Sequence, residues 1–158
     1  MAANDHLTAR ANLIGAGETA PDFVLKDQHR QDWRLSDHLK KGEVVLCFYP
    51  LAFTETCSVE MKCVNDEMAS WKAKGAEVVG ISCDSFATQM AWADSMGLKQ
   101  PLLADMHRQV CKAYGLYWAD LNVSTRGTVV IGKDGKVKWS QGREPGKAMN
   151  FDEVLAAV

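Results

Sequence analysis

Three short runs constrain this chain more than any other feature: "EVVLCFYP" at 43–50, "EVVGIS" at 77–82 and "GTVVIG" at 127–132. Each is apolar on both sides of the pleat. Strands of that kind are covered on both faces, as central strands of α/β sheets are. Between the first two runs lies a stretch with helical spacing, the connection that parallel pairing requires. Pro50 closes the first run, since it cannot donate to a ladder.

The remaining segments fill in around these strands. "APDFVLKDQHRQDWRLSD" alternates apolar and polar residues about the polar "KDQHRQD", which predicts an N-terminal β-hairpin. Ser36 or Asp37 is expected to cap a short helix, "DHLKKG", that stops at Gly42. A helix is expected from about Thr56 to Lys74, with Val59, Cys63, Met68 and Trp71 at helical spacing and Gly75 as its stop. "SFATQMAWADSMG" reads as a second helix, with Phe86, Met90 and Ala93 on one face. "RQVCKAYG" is a short third helix. Asp134-Gly135 marks a hairpin between two late strands. "NFDEVLAAV" is a closing helix capped by Asn150. The expected fold is α/β, a central mixed sheet flanked by helices. At 158 residues, with no repeat or linker, residues 1–158 read as one domain.

Composition excludes several functions. The net charge of -2 gives no basic excess for nucleic acid. The N-terminal segment has no apolar core, and the apolar runs are too short to span a bilayer. A cytoplasmic location is the expectation. The five cysteines, Cys47, Cys57, Cys63, Cys83 and Cys111, form no Cys-x-x-Cys pair. That speaks against a zinc site and against a thioredoxin-type reductase. Cys47 and Cys83 lie in strand-like runs and read as small buried hydrophobes. His107 reads as a surface residue. Trp92 and Trp118 read as packing residues, with Trp118 a candidate for the mouth of a pocket.

Cys57 stands apart, at the first turn of the helix that follows "EVVLCFYP". Free backbone N–H groups there favour an anion. The thiolate is the anion that attacks disulfides and peroxides. Upstream, Pro50 stiffens the loop and Thr54 offers a hydroxyl that both donates and accepts. The local pattern alone is equally that of a threonine-capped helix with a cysteine nearby.

"PLAFTETC" carries the Pro-x-x-x-Thr-x-x-Cys signature and resembles the peroxiredoxins. The similarity extends through "GETAPDFVLKD", "VVGISCDS" and "STRGTVVIGKDGKV". Within the family the chain looks most like the AhpE-like, one-cysteine branch, through "YPLAFTETC", "NVSTRGTVVI" and "REPGKAMNFDEVL". The resemblance implies a thioredoxin-like fold and a thiol-dependent peroxidase acting on hydrogen peroxide, organic hydroperoxides or peroxynitrite. It implies Cys57 as the peroxidatic cysteine, Thr54 as the residue that aligns the peroxide and Pro50 as a shield. Arg126 would stabilise the thiolate and polarise the peroxide, and Glu60 would orient Arg126. No metal or organic cofactor is implied, and a homodimer is.

A sulfenic acid at Cys57 needs a reductant. The family's same-helix resolving cysteine lies five residues on, where this chain has Lys62. Cys63 is about 120° round the helix and about 9 Å along it, beyond disulfide reach without unwinding. Neither Cys83 nor Cys111 matches a resolving position. The expectation is a one-cysteine mechanism completed by an external thiol or a thioredoxin- or glutaredoxin-like protein. The alternatives are a Cys57–Cys63 disulfide and a redox sensor that signals through Cys57.

Overall fold

The computed structural model describes residues 3–158. The hairpin expected near the N-terminus forms from β1 (Val24–Lys26) and β2 (Asp32–Arg34), antiparallel, with Leu25 opposite Trp33. The apolar runs become β3 (Glu43–Phe48), β4 (Ala76–Ser82) and β8 (Arg126–Ile131). β3 pairs with β4 in parallel and with β8 antiparallel. β9 (Val137–Arg143) returns antiparallel on β8 across a turn in which Gly135 has φ of 81°. β5 (Leu102–Ala104) adds to β4, giving a seven-stranded mixed sheet in the order β2-β1-β5-β4-β3-β8-β9. A ribbon of β6 (Tyr117–Trp118) and β7 (Val123–Ser124) stands outside it. Neither β5 nor this ribbon is in the sequence-based expectation. At two or three residues each, they are too short to display periodicity.

Alternation along the strands sorts the core into two layers. Val44, Leu46 and Phe48 of β3 join one apolar cluster, together with Val129 and Ile131 of β8. Helices α1 (Leu35–Leu39) and α5 (Gln109–Ala113) cover that face. Val45, Cys47, Tyr49 and Val130 point the other way. They pack against α2 (Glu55–Asp66), α3 (Met68–Ala73), α4 (Phe86–Met96) and α6 (Phe151–Ala157). Gly80 of β4 lets α2 approach closely. A Cβ there would come within 2.9 Å of Tyr49 and 3.1 Å of the Met61 sulfur.

Three helix expectations need correction. The helix expected from Thr56 to Lys74 is two, interrupted at Glu67, whose φ of -101° and ψ of 17° leave the helical region. The buried face of α2 is Cys57, Glu60, Met61 and Val64, whereas Val59 is 61% exposed and Met68 lies at the surface. A buried carboxylate occupies the stripe that apolar spacing assigned elsewhere. On α4 the buried residues are Gln89, Trp92 and Ala93, and Met90 is exposed. Gln89 is buried because it bonds the Tyr49 hydroxyl, Ser82 and the Leu103 carbonyl. Ser36 does not cap α1. The helix starts at Leu35, and both the Ser36 amide and its hydroxyl donate to Asp22. The Asn150 cap forms as expected, and Gly97, with φ of 66°, ends α4.

Candidate active site

Pro50 ends β3 and is buried, and the chain then turns through an exposed loop. Phe53 adopts φ of 65° there, a left-handed conformation that a non-glycine residue holds at a cost of about 1–2 kcal/mol. The loop is pinned from below, where the Ala52 amide donates to Asp84 Oδ2 at 2.8 Å. Thr54 is the extended N-cap residue of α2, but its side chain does not cap. Its hydroxyl donates to the Leu51 carbonyl at 2.7 Å, which leaves its lone pairs to accept from another donor. Cys57 follows within the first turn and is 1% exposed.

The sulfur meets β8. Arg126 Nη2 donates to Cys57 Sγ at 3.1 Å. The same guanidinium donates through Nη1 to Glu60 Oε1 at 3.0 Å. Its Nε and Nη2 also donate to the Pro145 carbonyl, at 3.0 and 2.8 Å. Arg126 is thereby held as a rigid fork between helix, strand and loop, the geometry that suits guanidinium to fixed recognition. Glu60 lies one turn beyond Cys57 and faces the same way. Its Oε2 accepts from the Met149 amide at 2.7 Å and from Arg143 Nη2 at 3.3 Å. Arg143 also donates to Thr128 Oγ1 at 2.8 Å.

Arg126 and Arg143 are direct partners in the β8–β9 register. Like charges opposite one another on a ladder repel. Glu60 lies between them, with its side chain 0% exposed and those of Arg126 and Arg143 1% and 4% exposed. A buried triad of this type is costly to break, since removal of one member leaves charge unpaired in a medium of low polarity.

Pro50, Thr54, Cys57, Trp118, Leu121 and Arg126 line a pocket of about 340 Å³, and Pro145 and Gly146 close it on one side. The structure thus brings together every site residue expected from sequence except Cys63, and places Glu60 on Arg126. Trp118 is part of the pocket wall rather than a packing residue alone. Trp92 is buried against Tyr49 and Phe53, and His107 is exposed, both as expected. Cys47 is fully buried, and burial pushes its thiol far above the ordinary range. Arg143 and Pro145 join the site without a role assigned to them from sequence, although both lie in "REPGKAMNFDEVL". Residues 126 and 143 are equidistant from the Asp134-Gly135 turn, and that symmetry is the one signal in the chain for their pairing.

The AhpC/TSA family matches residues 16–140. The chain belongs to this family, the peroxiredoxins. It is 31% identical to alkyl hydroperoxide reductase E of Mycobacterium tuberculosis over 92% of this chain and 99% of that protein. It is also 32% identical to the chloroplastic 2-Cys peroxiredoxin BAS1 of Hordeum vulgare, over 95% of this chain and 76% of the relative. The crystal structure of peroxidoxin BcpB from Mycobacterium tuberculosis superposes with a TM-score of 0.83 at 32% identity, covering 91% of this chain and 96% of that one. The mixed sheet between helices is the thioredoxin-like α/β fold of the peroxiredoxins, and the chain is a thiol peroxidase.

Proposed function

We propose that Cys57 is the peroxidatic cysteine and that this peroxiredoxin reduces hydrogen peroxide, organic hydroperoxides or peroxynitrite by a one-cysteine mechanism. The observation that carries the reading is the Arg126 contact to Cys57 Sγ at 3.1 Å, at the floor of a pocket. The sulfur attacks one peroxide oxygen, the O–O bond breaks, and negative charge grows on the departing oxygen. Arg126 is a fixed donor at that place, and such donors lower the barrier because they need no reorganisation. Thr54, whose proton is committed to Leu51, accepts from the peroxide O–H and aligns it. Pro50 and Trp118 restrict water at the sulfur. The apolar wall of Leu51, Trp118 and Leu121 favours organic hydroperoxides among the substrates.

Resolution by an external thiol, small or thioredoxin- or glutaredoxin-like, is supported by the placement of Cys63. It lies on the same unbroken helix as Cys57, about 9 Å further along its axis. Burial first, then Glu67 and Asp66, raise its thiol above the ordinary range, so that it is a poor nucleophile at neutral pH. Leu51, Phe53 and Leu121 are exposed beside the pocket, and a second copy of the chain would cover them as a homodimer. No helix among the described residues is long and apolar enough to cross a membrane, and a reducing cytoplasm would keep such thiols free.

Cys57→Ser is expected to abolish peroxide consumption in a coupled thiol assay while circular dichroism is retained. Turnover in that variant sinks the assignment. Mass spectrometry after one equivalent of peroxide is expected to show a sulfenic acid at Cys57. An internal disulfide that Cys63→Ser removes would instead establish the two-cysteine route.

A further inference from the structure

The sheet face opposite Cys57 buries a second pair of sulfurs. Cys83 follows the end of β4 and Cys111 lies in α5, and their Sγ atoms face one another at 3.9 Å. Cys111 is completely buried and Cys83 is 9% exposed. Both belong to the apolar layer of Phe48, Val110 and Tyr114, not to the layer that holds Cys57. Neither touches the pocket of the peroxidatic site.

A carboxylate completes the cluster. Asp105 places an oxygen within 4.8 Å of both sulfurs. Its two oxygens are already engaged, Oδ1 by the Val110 amide at 3.2 Å and Oδ2 by the Cys111 amide at 2.8 Å. Asp105 therefore fastens the start of α5, and the Cys111 thiol itself donates to the Arg108 carbonyl at 3.4 Å. With the carboxylate occupied by backbone, the two thiols are the groups left to react.

We propose that Cys83 and Cys111 form an oxidisable dithiol, a disulfide site separate from the peroxidatic centre, that closes when peroxide is in excess. Cys83, the partly exposed member, reacts first. Its sulfur forms a bond to one peroxide oxygen, the O–O bond breaks, and the second oxygen leaves as water with the thiol proton. The Cys111 sulfur then attacks the Cys83 sulfenic acid. The S–S bond forms, the S–O bond breaks, and a second water leaves with the Cys111 proton. Two thiols and one peroxide yield one disulfide and two waters, with both electrons taken up by the peroxide oxygens. The sulfurs close by about 1.9 Å to reach bonding distance, a rotamer-scale movement. The Cys83 contact and burial hold the Cys111 thiol far above its usual range.

The bond would join two supports of the pocket. Ser82 and Asp84 flank Cys83, and Asp84 holds the Ala52 amide of the Pro50–Thr54 loop. The Cys111 carbonyl holds the Leu116 amide, and the Leu116 carbonyl holds Thr125, next to Arg126.

The test uses folded Cys57→Ser protein, which isolates the dithiol from any chemistry at Cys57. The protein is exposed to excess hydrogen peroxide, alkylated in denaturant, digested and mapped. The expected result is a disulfide-linked pair of peptides containing Cys83 and Cys111, from a chain lighter by two hydrogens, with Cys47 alkylated. Recovery of Cys83 and Cys111 as alkylated thiols or as separate sulfinic acids overturns the proposal, as does a link from either to Cys63. Wild-type protein mapped in parallel decides between the same outcomes if the variant does not fold. Its Cys57 peptide reports independently on the peroxidase reading.

Discussion

Cys57 and Cys111 are buried to the same degree, 1% and 0% exposed, on opposite faces of one sheet. Their neighbours differ in sign. Cys57 accepts from a guanidinium that stays protonated, whereas Cys111 lies against a second thiol and a carboxylate. A cation at hydrogen-bond distance stabilises negative charge on sulfur, and an acid group opposes it. Cys57 opens onto a pocket. Burial alone therefore does not decide the chemistry of a cysteine. The groups that the fold directs at it do, and here alternation along β3 and β8 puts the two environments on opposite sides of the sheet.

The contrast can be broken most forcefully at Glu60. Glu60→Gln leaves Arg126 and Arg143 opposed with no anion between them, and loss of one partner from a buried charge cluster costs about 3–5 kcal/mol. Urea denaturation measures it. A loss of a few tenths would mean that the arginines do not depend on Glu60. Next is Arg126→Ala, which is expected to slow single-turnover peroxide reduction on the order of 10²-fold, the scale of a removed transition-state donor. A wild-type rate would take Arg126 out of the chemistry. Arg126→Lys retains the charge without the fork and should recover only part of the rate.

On the other face the expected effects are smaller. Burial raises the Asp105 carboxyl above the usual range against its two backbone hydrogen bonds. A group raised on folding contributes stability that is fully present below its unfolded value, about 3.9, and is lost as pH rises through the folded value. Asp105→Asn keeps one of the two hydrogen bonds and should cost about 1 kcal/mol, with the wild-type advantage largest in acid and shrinking towards neutrality. Chemical denaturation at several pH values tests this, and an advantage that grows with pH would reverse the sign. Smallest of all is Cys63→Ser, expected to leave peroxide turnover unchanged. Cys63 itself should be alkylated slowly at neutral pH and faster as pH rises past the ordinary thiol value of about 8.5. Fast alkylation at pH 7 would contradict the raised thiol.

Much of this arrangement is legible in the residues. The central strands announce themselves as apolar on both faces, and Asp134-Gly135 locates the hairpin that sets Arg126 against Arg143. Cys57, Thr54 and Pro50 are close in sequence, so local order alone groups them. The two misread helix faces share one cause. Glu60 and Gln89 are polar residues buried because distant partners satisfy them, Arg126 and Arg143 for one, Tyr49 and Leu103 for the other. Apolar periodicity rotates α2 and α4 the wrong way because it assigns such residues to solvent. The Cys83–Cys111 approach is likewise invisible in sequence, since it depends on how α5 docks against the end of β4.

The loop after β9 has a consequence for when reactivity appears. The Pro145 carbonyl holds Arg126, the Met149 amide holds Glu60, and Arg143 balances that carboxylate. Ribosomal synthesis delivers Cys57 long before any of these. On the role proposed for Cys57, a nascent chain carries that sulfur without its Arg126 partner through most of its elongation, and the docking of residues 143–149 completes the site. Order of synthesis therefore separates the sulfur from the groups directed at it until this late loop docks.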